Sequence, residues 1–114
     1  MLLDYGTILV ANNLEEIRYM VTEIAIFTAV PSKEDELGQA ILRGLEVIRQ
    51  SPGCVSARVE RCIEHKEQYM LIVIWISLEA HTVQFRGGPL FPQWRNHING
   101  LFVESPEVFH YEPF

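Results

Sequence analysis

The sequence predicts an α+β domain of the ferredoxin-like kind, a split β-α-β arrangement with one four-stranded antiparallel sheet. Three observations carry this. Segments of strand and helix character follow one another as β-α-β-β-α-β. The first helix has apolar residues Leu37, Ile41, Leu45 and Ile48 at helical spacing. The strand Gln68 to Ser77 is apolar on both alternating faces, which demands a layer on each side of the sheet.

Residues 1–19 form an appended arm, with a short strand at Thr7 to Ala11, a turn at Asn12-Asn13 and a turn of helix from Leu14 to Tyr19. The domain proper spans 20–114. β-Branched and aromatic residues concentrate from Met20 to Val30, giving a first strand. Pro31-Ser32 ends it. Ser32 and Asp35 have the spacing of a helix-capping pair, and Glu34 and Glu36 suit the positive end of the helix dipole. Arg49 lies in the last turn, and Ser51-Pro52-Gly53 stops the helix. Cys54 to Glu64 is the second strand, Glu64 to Glu67 a hairpin turn, and Gln68 to Ser77 the third strand. A short helix is expected from Leu78 to Arg86, broken by Gly87-Gly88-Pro89, then another from Leu90 to Asn99 and a last strand from Pro106 to Glu112.

Composition narrows the function classes. With 114 residues there is room for a single core. A formal charge of -6 argues against nucleic acid and anionic membranes as partners. The apolar run Met70 to Ile76 is too short to span a bilayer, and the N-terminus lacks the basic segment of a secretion signal, so a cytoplasmic protein is expected. Cys54 and Cys62 fall in one predicted strand, roughly 26 Å apart at about 3.3 Å per residue, and cannot pair within the chain. The four histidines show no metal-ligand spacing and there is no phosphate-binding glycine loop, so no metal is expected.

In the split β-α-β fold both helices cover one sheet face. The other face of the third strand (Met70, Ile72, Ile74, Ile76) needs a second layer, and a second copy of the chain is the simplest one; the arm folding over the sheet is the alternative. A homodimer is therefore expected.

The stretch from Tyr69 to Trp75, then Ile-Ser-Leu-Glu-Ala-His81 and Phe85-Arg86, resembles the antibiotic biosynthesis monooxygenase family, as do Phe91-x-x-Trp94 and the closing His110-Tyr111. The resemblance implies a dimeric α/β barrel with a hydrophobic pocket between sheet and helices in each protomer. Many relatives oxygenate aromatic polyketides or quinols with no cofactor; others degrade haem, cyclise or decarboxylate. Two departures are visible. Gln84 stands near where relatives often carry a histidine, with His81 three residues earlier, and the first strand lacks the asparagine of haem-degrading relatives.

Cofactor-free oxygenation needs a base, an oxyanion donor and a dry pocket. His81 shares a helical stripe with Leu78 and Phe85 and is the candidate base, the alternative being a histidine bonded at the domain edge. Arg86 or Tyr69 is the candidate oxyanion donor, with Arg86 equally readable as a surface residue. Trp75, on one face of the third strand with Tyr69, is a candidate wall for a flat substrate, or plain core. Phe85, Trp94 and His110 are further candidates for substrate contact, and Glu23 is the one acid in the apolar first strand. Buried, Glu23 would have a raised pKa and could exchange protons; at an edge in water it would cost nothing, which explains it as well. The expected ligand is a hydrophobic aromatic or polyketide-type small molecule. Alternatives are a non-oxidative cyclase or decarboxylase, and a non-catalytic binding or dimerisation module.

Overall fold

The computed structural model describes residues 14–114, so the expected strand at Thr7 to Ala11 and the Asn12-Asn13 turn lie outside the described residues. A single helical turn, α1 (Leu14–Ile17), precedes β1 (Val21–Thr28), α2 (Glu34–Arg49), β2 (Cys54–Arg61) and β3 (Gln68–Trp75). A π-helical turn (Ala80–Phe85), α3 (Leu90–Ile98) and β4 (Glu107–Tyr111) complete the chain. The four strands form one sheet in the order β2-β3-β1-β4, antiparallel throughout. This is the split β-α-β topology that the order of elements predicts.

Strand alternation decides what each face does. On the helix side β1 contributes Glu23, Ala25 and Phe27, and β3 contributes Tyr69, Leu71, Val73 and Trp75, all buried. They pack with Leu37, Ile41, Leu45 and Ile48 of α2 and Trp94 and Ile98 of α3 into one core. The recurrence of apolar residues along α2 thus meets the period-2 pattern of the strands. Two glycines let α2 approach large rings. A Cβ on Gly38 would lie 2.5 Å from the Tyr69 hydroxyl oxygen, and one on Gly44 would lie 2.6 Å from the Trp94 ring.

The opposite face is laid out by the register. Ile24 pairs with Ile72 and Phe109, and Thr22 pairs with Ile74 and Tyr111. Phe109 and Tyr111 are more than half exposed there. Ile72 and Ile74 are buried there, Ile74 in a small cluster with Met20 against which Ile17 of α1 and Val55 of β2 pack.

Two local expectations are corrected. Ser32 does not cap α2. It adopts a left-handed conformation, φ 72°, in a turn closed by the Lys33 amide donating to the Val30 carbonyl. The cap runs the other way, with the Ser32 amide donating to the Glu34 carboxylate at 3.0 Å. The segment after β3 is not an α-helix. The Arg86 amide donates to the His81 carbonyl five residues back, the wider turn of a π-helix, a form frequent at functional sites. Leu78 accordingly leaves the stripe it was expected to share with His81 and Phe85 and is 41% exposed, while those two are buried. Cys54 lies in β2 and Cys62 just beyond it, both as free thiols.

Candidate active site

Between the helix-side sheet face and the helices lies a cavity of about 310 Å³. Its floor is Glu23, Ala25 and Phe27 of β1 with Leu71 and Trp75 of β3. Its walls include His81 and Phe85 of the π-helical turn and Phe91 and Trp94 of α3, and Arg86 and Arg95 line it too. Mostly apolar walls with a few converging polar groups are what a small-molecule pocket requires.

The polar groups form a chain. Trp75 Nε1–H donates to Glu23 Oε1 at 2.9 Å, and His81 Nε2 lies 3.4 Å from the same oxygen. His81 Nδ1 lies 2.8 Å from His110 Nε2. β-Sheet register builds this chain, because Glu23 faces His110 directly across the β1–β4 pair and both point to the helix side. The π-helical turn then brings His81 down onto them. The His81 ring stacks on Trp75 at a centroid distance of 5.1 Å and an interplanar angle of 14°. Phe85 closes the cluster 5.4 Å from Trp75.

Burial sets the protonation states. Loss of water around Glu23 pushes its carboxyl from 4.5 up to about 6, against the opposing pull of the Trp75 hydrogen bond and the Arg86 charge. Burial, the Arg86 charge and the neighbouring His110 push His81 from 6.5 down to about 3. Burial and then Arg86 lower His110 as well. At pH 7 Glu23 is therefore ionised and His81 neutral. The proton of the His81–Glu23 contact then sits on His81 Nε2. That leaves His81 Nδ1 to accept from His110 Nε2–H. His110 is half-buried, so the chain runs from the pocket floor toward the surface.

The sequence-derived candidates divide as follows. Glu23, Trp75, His81, Phe85, Arg86 and Trp94 all line the cavity. His110 stands behind it, reaching it through His81. Tyr69 is elsewhere. It shares a face with Trp75 as expected, but six residues along a strand are roughly 20 Å, and its hydroxyl donates to the Glu34 carbonyl at 3.0 Å. It lies under α2 and is not among the residues lining the cavity. The sequence reading missed Arg95, Phe27 and Phe102, which line the far end of the cavity. Arg95 follows Phe91 by one helical turn, and that spacing was the available signal. Among the described residues no group of three His, Cys, Asp or Glu is arranged to hold a metal ion.

Comparison with known proteins agrees with this architecture. A Bordetella bronchiseptica protein assigned to the antibiotic biosynthesis monooxygenases superposes with a TM-score of 0.79 and 28% identity, over 84% of this chain and 98% of that one. SnoaB of Streptomyces nogalater, a cofactor-independent oxygenase, shares the fold with a TM-score of 0.70 at 19% identity, over 82% of this chain and 92% of that one. The uncharacterised protein YczJ of Bacillus subtilis (strain 168) is 28% identical over 93 residues, 82% of this chain and 98% of its own. The family model for antibiotic biosynthesis monooxygenase matches residues 20–96. Spanning both the pocket floor and the π-helical turn, that match places the chain in the antibiotic biosynthesis monooxygenase family.

Proposed function

We propose that the protein is a homodimeric, cofactor-independent oxygenase of a hydrophobic aromatic or polyketide-type phenol or enol, with Glu23 as the base. The observation that carries this is a buried carboxylate on the floor of an apolar pocket, joined by His81 to a half-buried His110. Glu23 takes the role the sequence suggested for His81. The imidazole holds protons too weakly to be the acceptor at neutral pH, whereas a carboxyl near 6 is well matched to it. His81 and His110 then carry protons between Glu23 and the surface.

The chemistry balances with the substrate as sole reductant. Glu23 removes a proton from an activated CH₂ or phenol, and the delocalised anion gives one electron to dioxygen. Recombination of superoxide with the substrate radical forms a C–O bond and, after protonation, a hydroperoxide. Loss of the second C–H proton with cleavage of the O–O bond leaves a carbonyl and one water. Arg86 lines the same cavity, and its charge, which acts on Glu23, His81 and His110 alike, would stabilise the developing oxyanion. The Trp75, Phe85 and Trp94 rings exclude water around it.

The homodimer is supported by the outer sheet face, where Phe109 and Tyr111 of β4 stand more than half exposed beside Ile24 and Thr22 of β1. Burying it is worth several kcal/mol at about 25 cal/mol per Å². A mass in solution near twice 13.2 kDa is expected. Two free thiols fit a reducing cytoplasm.

The test is oxygen uptake with a panel of anthrones, naphthols and quinols. Uptake of one dioxygen per molecule converted is expected, slowed about 10²-fold or more in Glu23→Gln. Product formation without oxygen uptake would instead assign a cyclase or decarboxylase using the same base. Binding with no product from any compound would assign a binding module.

A further inference from the structure

The cavity has two unlike ends. At one lie Glu23, Trp75 and His81, with Arg86 close enough to bear on the protonation of Glu23, His81 and His110. Arg95 is not among the main influences on any of these groups, although it lines the same cavity. Its position follows from its neighbours. The guanidinium carbon lies 5.8 Å from the centre of the Phe102 ring and 5.9 Å from that of Phe91. Phe102 in turn packs edge-on against Phe27 at 5.3 Å. Phe27 lies four residues along β1 from Glu23, roughly 13 Å at about 3.3 Å per residue.

Arg95 is held rather than loose. Its Nε–H donates to Asn99 Oδ1 at 3.3 Å, and the flanking rings restrict it further. Holding the guanidinium through Nε leaves its two terminal nitrogens as donors. Among the described residues no carboxylate lies within ion-pair distance of Arg95 or Arg86. Glu23 is the one acid among the described residues lining the cavity. In a chain of formal charge -6, a pocket carrying two arginines against a single carboxylate is a local reversal of sign. A preorganised guanidinium with free terminal N–H groups recognises a planar oxyanion.

We infer that the natural ligand is an aromatic acid, whose carboxylate or equivalent anionic group is bound by Arg95 at the end of the pocket remote from Glu23. This rests on the cavity being the ligand site. It specifies the ligand as long, flat and charged at one end, with its reacting hydroxyl or CH₂ at the other. Arg95 thus selects and orients the ligand, and Glu23 does the chemistry.

The experiment is calorimetric titration with 2-naphthoate and 2-naphthamide, which share a shape and differ in charge. The expected result is that the unaltered protein binds the acid about tenfold or more tightly than the amide. Arg95→Gln should abolish that preference, weakening the acid far more than the amide, and the amide binding that remains shows that the variant is folded. Equal binding of acid and amide, or equal weakening of both by Arg95→Gln, overturns the inference and leaves the pocket reading standing. Binding of neither compound overturns both. Oxygen uptake plays no part in this readout, so failure of the oxygenase reading is seen separately.

Discussion

Replacing Glu23 with glutamine should make the protein more stable at neutral pH, although it removes the proposed base. The carboxyl is pushed from 4.5 up to about 6 by burial. A group whose pKa is higher in the folded state stabilises fully below its unfolded value and loses that contribution as pH rises through the folded one. For Glu23 the window is therefore pH 4.5 to 6, and above it the folded protein holds an anion that water would hold better. At about 1.4 kcal/mol per pH unit, the rise amounts to about 2 kcal/mol. Glutamine is neutral, nearly isosteric and keeps an oxygen to accept from Trp75 Nε1–H at the 2.9 Å contact. Urea unfolding followed by far-ultraviolet circular dichroism should show the variant about 2 kcal/mol more stable at pH 7.5. The advantage should shrink to near zero at pH 4.5, where the native carboxyl is protonated. A variant less stable than the parent at pH 7.5 would refute the reasoning, because it would mean that the carboxylate is favourably solvated in its place. An acid kept at a cost in stability is what the proposed role as base would explain.

Three other outcomes are expected. His81 is shifted in the opposite sense, from 6.5 to about 3, so it contributes stability above pH 6.5 that is lost as pH falls toward 3; His81→Phe should flatten acid unfolding over that range, as followed by denaturation midpoint against pH. Gly44→Ala places a methyl where the Trp94 ring stands, 2.6 Å from the ideal Cβ, and should lower stability by about 1–3 kcal/mol while weakening ligand binding measured by calorimetry. Tyr69→Phe removes the hydrogen bond to the Glu34 carbonyl and should cost about 1 kcal/mol in urea unfolding, with ligand binding unchanged.

The fold was largely legible because its periods are plain. The two-faced apolar run of β3 and the helical recurrence of Leu37, Ile41, Leu45 and Ile48 leave few arrangements open. Glu23 stood out for the same reason, as an acid on a face otherwise given to Ala25 and Phe27. Its partners were less legible. His110 meets Glu23 only through the β1–β4 register, a long-range pairing that local sequence does not encode. Tyr69 and Trp75 were correctly placed on one face, but sharing a face says nothing about distance along it, and six residues separate Tyr69 from Trp75 and the polar chain around it. Arg95 went unnoticed because its place in the cavity depends on Phe102, which an isolated bridge to Ala29 brings back over the sheet. The π-helical turn was read as α-helix because its residues carry ordinary helix signals, and packing of His81 and Phe85 against Trp75 decides its width.

Both tryptophans of the chain line the one cavity, so the intrinsic emission of the protein belongs almost wholly to its pocket. Trp75 has its indole N–H on the very oxygen whose protonation is at issue, and a neutral carboxylic acid quenches an indole more strongly than a carboxylate does. Emission recorded against pH should therefore fall as the solution is acidified through about 6, tracing the titration of a single side chain without label, isotope or substrate. Trp94, set in the opposite wall against Phe27, supplies the second colour of the same spectrum. The protein carries its own optical probe of the acid at its centre.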